Sequence, residues 1–122
     1  MRFDAAELAL LDATEEIEIE TRAPDGAVHR TIVWVVVDGD EAFLRSVNGS
    51  TARWFRETLA GPGVVIHVTE RSIAALAAPA TDPDAIRRTS DALARKYEGH
   101  GASLESMLAP EVLDTTLRLT QG

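Results

Sequence analysis

The residues best equipped for chemistry in this 122-residue chain lie between Arg45 and Arg56. Arg45 and Ser46 come at the end of an apolar run, Asn48-Gly49-Ser50 breaks it, and Arg53 and Arg56 follow at helical spacing. A glycine-containing loop feeding a helix exposes backbone N–H groups, and the helix start favours negative charge. Ser46 and Ser50 add hydroxyl donors, while the three arginines add charge and planar forks that match phosphate or carboxylate. The segment can therefore hold an anion. It suits equally well a plain helix capped by Ser50, with the arginines solvated or paired with Glu57 and Asp38. Two indoles accompany it. Trp34 sits inside an apolar run, where core packing and stacking on a planar ligand are both open. Trp54 falls on the boundary of its helix, placed either for a subunit interface or for a ligand.

Other constellations are poorer. His29, His67 and His100 show no His–x–His, His–x₃–His or His–Glu spacing of a metal site, so none is expected. His67 on a strand is a conceivable proton donor. There is no nucleophile elbow, and Gly61-Pro62-Gly63 reads as a helix stop rather than a phosphate loop. No residue stands out as a general acid or base.

The elements that must position these groups follow from patterning. Phe3 to Leu8 predicts a helix start with Asp4 as N-cap, Glu7 completing a capping box, and Phe3 and Leu8 as a hydrophobic staple. Glu15 to Ala23 alternates, with Ile17 and Ile19 on one face and a solvated acidic face opposite. Pro24-Asp25-Gly26 turns the chain into a second strand, Val28 to Val37, apolar on both faces from Ile32 and so predicted to be buried on both. Asp38-Gly39 leads to a third strand, Glu41 to Val47. A helix from Thr51 to Ala60, capped by Ser50, places Arg53, Arg56, Glu57 and Ala60 on one face and Ala52, Phe55 and Leu59 on the other. Strands at Val64–Thr69 and Ser72–Pro79 follow. A long helix then runs from the Asp82-Pro83 cap to Glu98, with Gly99 ending it and Ile86, Leu93 and Tyr97 as its apolar stripe. Lys96 near its end has an electrostatic reason to be there. A short helix from Ser103 and a sixth strand at Thr115–Leu119 complete the chain. Three hairpin-joined strands, helix, two strands, helix and strand describe an α+β domain spanning 1–122: a six-stranded antiparallel barrel with peripheral helices, or a sandwich.

Composition bounds the function. With 12 basic and 20 acidic residues the net charge is −8, which argues against nucleic acid or an anionic membrane surface as partner. Cysteine is absent, so there is no thiol nucleophile and no disulfide. Hydrophobic residues make up 45% and charged residues 26%, as in an ordinary folded domain. The acidic start lacks a signal-peptide pattern, and a cytoplasmic protein is expected. Eleven of the twelve basic residues are arginine; Lys96 is the single lysine.

The stretch Thr31-Ile32-Val33-Trp34-Val35-Val36-Val37-Asp38-Gly39, then Leu44-Arg45-Ser46-Val47-Asn48-Gly49, Arg53-Trp54-Phe55-Arg56 and Leu59-Ala60-Gly61-Pro62-Gly63-Val64 resembles the split β-barrel proteins that bind flavin or deazaflavin. These include pyridoxamine-phosphate-oxidase-like and deazaflavin-dependent nitroreductase-like families. The resemblance is nearest to a small family of uncharacterised function that shares the Ala-Lys-Tyr helix, here Asp91 to Tyr97. It implies a homodimer with FMN or a deazaflavin coenzyme in a groove between subunits. Arg45, Ser46, Asn48, Gly49, Arg53, Trp54 and Arg56 would then hold the cofactor's phosphate side, and Thr31 to Trp34 would lie along its ring. The implied activity is hydride transfer to a small acceptor. Pro24–Ala27, without the family's lysine, and Glu57-Thr58, in place of an Asn–Leu pair, favour a second reading: a non-catalytic split-barrel dimer that has lost the cofactor and binds another ligand or a protein. A partner recognised by the acidic strand face is a third.

Overall fold

The computed structural model describes residues 1–122 and contains seven strands and four α-helices. Helix α1 (Ala5–Ala13) opens as its sequence dictates. The Asp4 side chain accepts from the Glu7 N–H at 2.8 Å, and Glu7 accepts from the Asp4 N–H at 3.0 Å. The strands are β1 (Ile17–Arg22), β2 (Val28–Val33), β3 (Val36–Asp38), β4 (Glu41–Leu44), β5 (Gly63–Val68), β6 (Arg71–Pro79) and β7 (Leu117–Gln121). They form one antiparallel sheet in the order β2-β1-β5-β6-β7-β4-β3.

That order explains the extra strand. β2 and β3 lie at opposite margins of the sheet, yet only Trp34 and Val35 separate them in sequence. The sheet must therefore curl until its margins meet at this kink, which is a split barrel. The run Val28–Val37 is thus two strands, not one, and seven strands replace the six expected. Its predicted burial also divides. Val33, Val35 and Val36 are buried, but Ile32 is 63% exposed because it shares the outward face of β2 with Val28 and Arg30.

The kink frees the Val35 carbonyl from sheet pairing, and an unpaired buried carbonyl is costly. It accepts from Lys96 Nζ at 2.6 Å and lies 3.2 Å from the Tyr97 hydroxyl. Both come from the end of α3 (Pro83–Lys96), whose start is capped by Asp82. Lys96 Nζ also donates to the Leu11 carbonyl at 3.0 Å, and the Tyr97 hydroxyl donates to the Glu15 carbonyl at 2.6 Å. The Lys-Tyr pair thus ties α1, the kink and α3 together at the barrel seam.

Two cores result. The interior takes alternate residues of each strand, among them Ile17, Ile19, Val64, Ile66, Ala75 and Leu119. A second cluster on the other side of the sheet joins Val36 and Phe43 to Ala85, Leu93 and Tyr97 of the α3 region and to Met107 of α4 (Gly101–Leu108). Three local expectations are revised. Gly49–Thr51 forms a 3-10 turn, so α2 runs from Arg53 to Ala60 with Ala52 rather than Ser50 at its N-cap and no side-chain cap. Within α2, Glu57 is buried and Leu59 is half exposed, the reverse of the expected faces. Glu57 is held inward by Thr21 Oγ1, which donates to it at 2.6 Å, and by His29 Nδ1 at 3.2 Å. Finally, α3 ends at Lys96, and the left-handed φ of +50° falls at Gly101 rather than Gly99.

Candidate functional site

A cleft of about 380 Å³, open along one side, lies where β2, the loop after β4, α2 and α4 converge. Its lining includes Thr31, Trp34, Arg45, Asn48 and Trp54, five of the nine residues singled out from sequence. The β2 edge brings Thr31 and Trp34, the strand-end loop brings Arg45 and Asn48, and α2 brings Trp54. Val33, Val47 and Met107 add apolar surface, and Ser103 and Ser106 of α4 add hydroxyls.

The aromatic wall is fixed from behind. The Trp34 indole stacks on the Tyr97 ring with centroids 3.9 Å apart and planes 4° from parallel. His100 meets both rings edge-on, and its Nε2 bonds the Glu15 carboxylate. Burial raises the Tyr97 hydroxyl well above the usual phenol range, and the nearby Glu15 and Glu16 push the same way more weakly, so it stays protonated and donates.

Arg45 is 2% exposed, and its guanidinium faces only neutral oxygens. Nε donates to Thr116 Oγ1 at 3.0 Å, Nη1 to Ser90 Oγ at 2.9 Å and to the Met107 carbonyl at 3.1 Å, and Nη2 to the Ile86 carbonyl at 3.1 Å. Burial pulls its pKa down to about 10, which still leaves it charged at neutral pH. The Asp38 that sequence allowed as an arginine partner instead pairs with Arg88 at 2.5 Å. Arg45 therefore brings to the cleft a positive charge with no carboxylate in contact and one of its five N–H groups uncommitted, while Glu16 adds a carboxylate elsewhere on the lining.

The other four candidates lie around the cleft rather than on its lining. Ser46 is buried and closes the loop, its hydroxyl donating to the Gly49 carbonyl at 2.8 Å and its N–H to Thr115 Oγ1 at 3.0 Å. Gly49, at φ +74°, sits in an adjoining depression with Asn48 and Ser106. Arg53 is half exposed; it donates to Thr31 Oγ1 at 3.3 Å and lies 3.9 Å from Glu57. Arg56 is exposed and makes no side-chain hydrogen bond or ion pair. His67 belongs to a larger, charged neighbouring basin, where it pairs with Glu20 at 2.8 Å and Ser72 at 3.0 Å. Sequence reasoning did not select Ser103, Ser106 and Met107. The Ser103-to-Ser106 spacing on one helix face was the available signal.

The arrangement suits a planar ligand with an acidic group. Two indoles and a β-strand edge flank a narrow space. A buried cation lies at its base, and the uncapped start of α2 leaves backbone N–H groups for an anion nearby. The volume falls in the lower part of the range of small-molecule sites.

A family profile described as an uncharacterized protein conserved in bacteria, DUF2255, matches residues 7–119. The chain belongs to the DUF2255 family. No curated protein matches this DUF2255 member in sequence. Solved structures do match in fold. One is a Listeria innocua protein with the provisional name pyridoxamine 5′-phosphate oxidase, at TM-score 0.68 and 15% identity over 95% of this chain and 90% of that one. HutZ, the heme storage protein of Vibrio cholerae, gives 0.67 and 15% over 100% and 92%. An F420 reductase gives 0.57 and 16% over 93% and 91%. The DUF2255 chain thus has the split-barrel fold of pyridoxamine-phosphate-oxidase-like and F420-reductase proteins. None of its helices is long and apolar enough to cross a membrane.

Proposed function

We propose that this protein binds FMN or a deazaflavin coenzyme in the cleft between β2 and α4, as a homodimer, and acts as a reductase toward a small acceptor. The observation that carries the reading is the convergence of Thr31, Trp34, Arg45, Asn48 and Trp54, brought by separate elements, on one cleft. Thr31 and Trp34 would flank the ring. Arg45 and Asn48 would face the acidic side chain of the cofactor, and Arg53 would add charge from the rim beside Thr31. The cofactor would supply the hydride chemistry; the protein's part is to orient it, shield it from water and present charge. Exposed Ile32 and Val47 border the open side of the cleft, where a second copy would bury them and complete the groove.

A second reading is supported by the same arginine. Four of Arg45's N–H groups already serve protein oxygens, which suits a non-catalytic dimer holding a different ligand. Titration with FMN and with the deazaflavin coenzyme, followed by tryptophan fluorescence, separates the two. Saturable quenching by either supports the cofactor reading, and none by both leaves the second.

A further inference from the structure

We propose that Ser72, His67 and Glu20 form a nucleophile–base relay that hydrolyses small neutral or cationic esters in the basin on the outward face of β1, β5 and β6. The basin has a volume of about 500 Å³ and shares only Glu16 and Ile32 with the cleft described above. Strand register builds the relay. The two-residue turn Thr69-Glu70 sets His67 directly opposite Ser72, and β1 lays Glu18 opposite His67, with Glu20 two residues along the same face. That turn is strained. Thr69, a β-branched residue on the basin wall, has φ +53°, in the left-handed region. Strain of this kind gathers at functional sites.

The hydrogen bonds have a direction. His67 Nε2 lies 2.8 Å from Glu20 Oε1, and Ser72 Oγ lies 3.0 Å from His67 Nδ1. A carboxylate only accepts, so Nε2 carries the ring proton. In the neutral ring Nδ1 then turns its lone pair toward the Ser72 hydroxyl, the arrangement of a general base on a nucleophile. Glu20 acts through His67 and is a positioning residue. The side chains of His67 and Glu20 are 15% and 23% exposed, so the ring is held in place, while Ser72 stands open to the basin.

In the reaction Ser72 Oγ forms a bond to the ester's carbonyl carbon and its proton passes to His67 Nδ1. The carbonyl's electron pair moves to its oxygen. The carbon–oxygen bond to the alcohol then breaks, and the alcohol leaves with the electron pair and the proton from Nδ1. Water repeats the sequence on the acyl-serine and releases the carboxylic acid. Arg30 is held by Glu18 at 3.9 Å and by Glu20 at 3.6 Å, which leaves Arg71, beside Ser72, as the cation free to face the oxyanion. The lining sets Glu16, Glu18 and Glu70 against Arg30 and Arg71, with Glu20 behind. The basin is therefore net negative and disfavours anionic esters.

The test assays the full chain, without flavin, for hydrolysis of p-nitrophenyl acetate. General base catalysis should lift the rate about 10²-fold above that of Ser72→Ala, and a fluorophosphonate should label Ser72 in mass spectrometry. Glu20→Gln should lower kcat at least tenfold with KM unchanged, because the ring loses its fixed tautomer. The anionic p-nitrophenyl succinate should react several-fold more slowly than the acetate, and Glu70→Gln should narrow the gap. Full hydrolysis by Ser72→Ala, or no label at Ser72, overturns the nucleophile. Unchanged kcat in Glu20→Gln overturns the relay. Equal rates for acetate and succinate overturn the substrate class.

Discussion

Replacing Tyr97 tests whether the seam at the β2–β3 kink both stabilises the barrel and sets the cleft wall. Tyr97 is 1% exposed, its ring lies flat on Trp34, and its hydroxyl donates to the Glu15 carbonyl. Tyr97→Phe keeps the stack and removes one buried hydrogen bond. Val35 retains Lys96 as donor, so only the Glu15 carbonyl loses its hydroxyl partner, at a cost of about 1–2 kcal/mol. Tyr97→Leu also removes the aromatic stack, worth ~0.5–1.5 kcal/mol, and leaves a void in the second core, for a total of about 3–4 kcal/mol. With a urea slope of about 1.5 kcal/mol/M, the midpoints should fall by ~1 M and ~2 M at unchanged slope. Near-UV circular dichroism should show the coupled indole–phenol signal kept in Tyr97→Phe and lost in Tyr97→Leu. Ligand affinity at the cleft should follow the same order. Equal midpoints for wild type and Tyr97→Leu would refute the reasoning, because the seam would then not be a stabilising contact.

Four further outcomes follow from the same contacts. Because the Lys96 pKa is lowered in the folded state, the unfolded chain binds more protons above pH 8. Stability should therefore rise between pH 8 and 9.5, by ~1–2 kcal/mol after allowance for partial exposure, and Lys96→Met should flatten the rise in urea titrations. Arg45→Ala empties a fully buried site and leaves the Met107 carbonyl without its arginine donor; a loss of about 3 kcal/mol is expected by chemical denaturation. Glu57→Ala strips Thr21 and His29 of a buried partner and should cost ~2 kcal/mol in the same assay, with Glu57→Gln recovering part of it. The proposed dimer is tested by Ile32→Asp, on the outward face of β2, which should weaken that dimer in sedimentation by at least tenfold while changing the urea midpoint little.

Much of this fold was legible because local rules and burial agreed. The Asp4–Glu7 capping box, the Asp82-Pro83 start and the alternating Ile17 and Ile19 all stand where the sequence puts them. The Val28–Val37 run was not divisible from sequence. Its hydrophobicity is uniform, and the break at Trp34-Val35 comes from closing the sheet, with donors supplied by Lys96 and Tyr97 some sixty residues away. On α2, Arg53, Arg56 and Ala60 are exposed and Phe55 is buried as the periodicity has it, and only Glu57 and Leu59 depart, for a related reason. Periodicity assigns charge to solvent, whereas Glu57 is drawn inward by Thr21 of β1 and His29 of β2. At the cleft, the residue types around Arg45 predicted positive charge near a loop and helix start. The internal use of Arg45's hydrogen bonds depends on α3, α4 and the segment before β7, which no local pattern reveals.

The most direct measurement is the fluorescence titration with FMN and the deazaflavin coenzyme on wild type, Trp34→Phe and Trp54→Phe, since both indoles line the cleft. The account predicts saturable, micromolar quenching by one cofactor, with each single-tryptophan variant retaining part of the signal. It is contradicted if neither cofactor quenches at high concentration, or if quenching survives unchanged when both tryptophans are replaced and a tryptophan is placed outside the cleft.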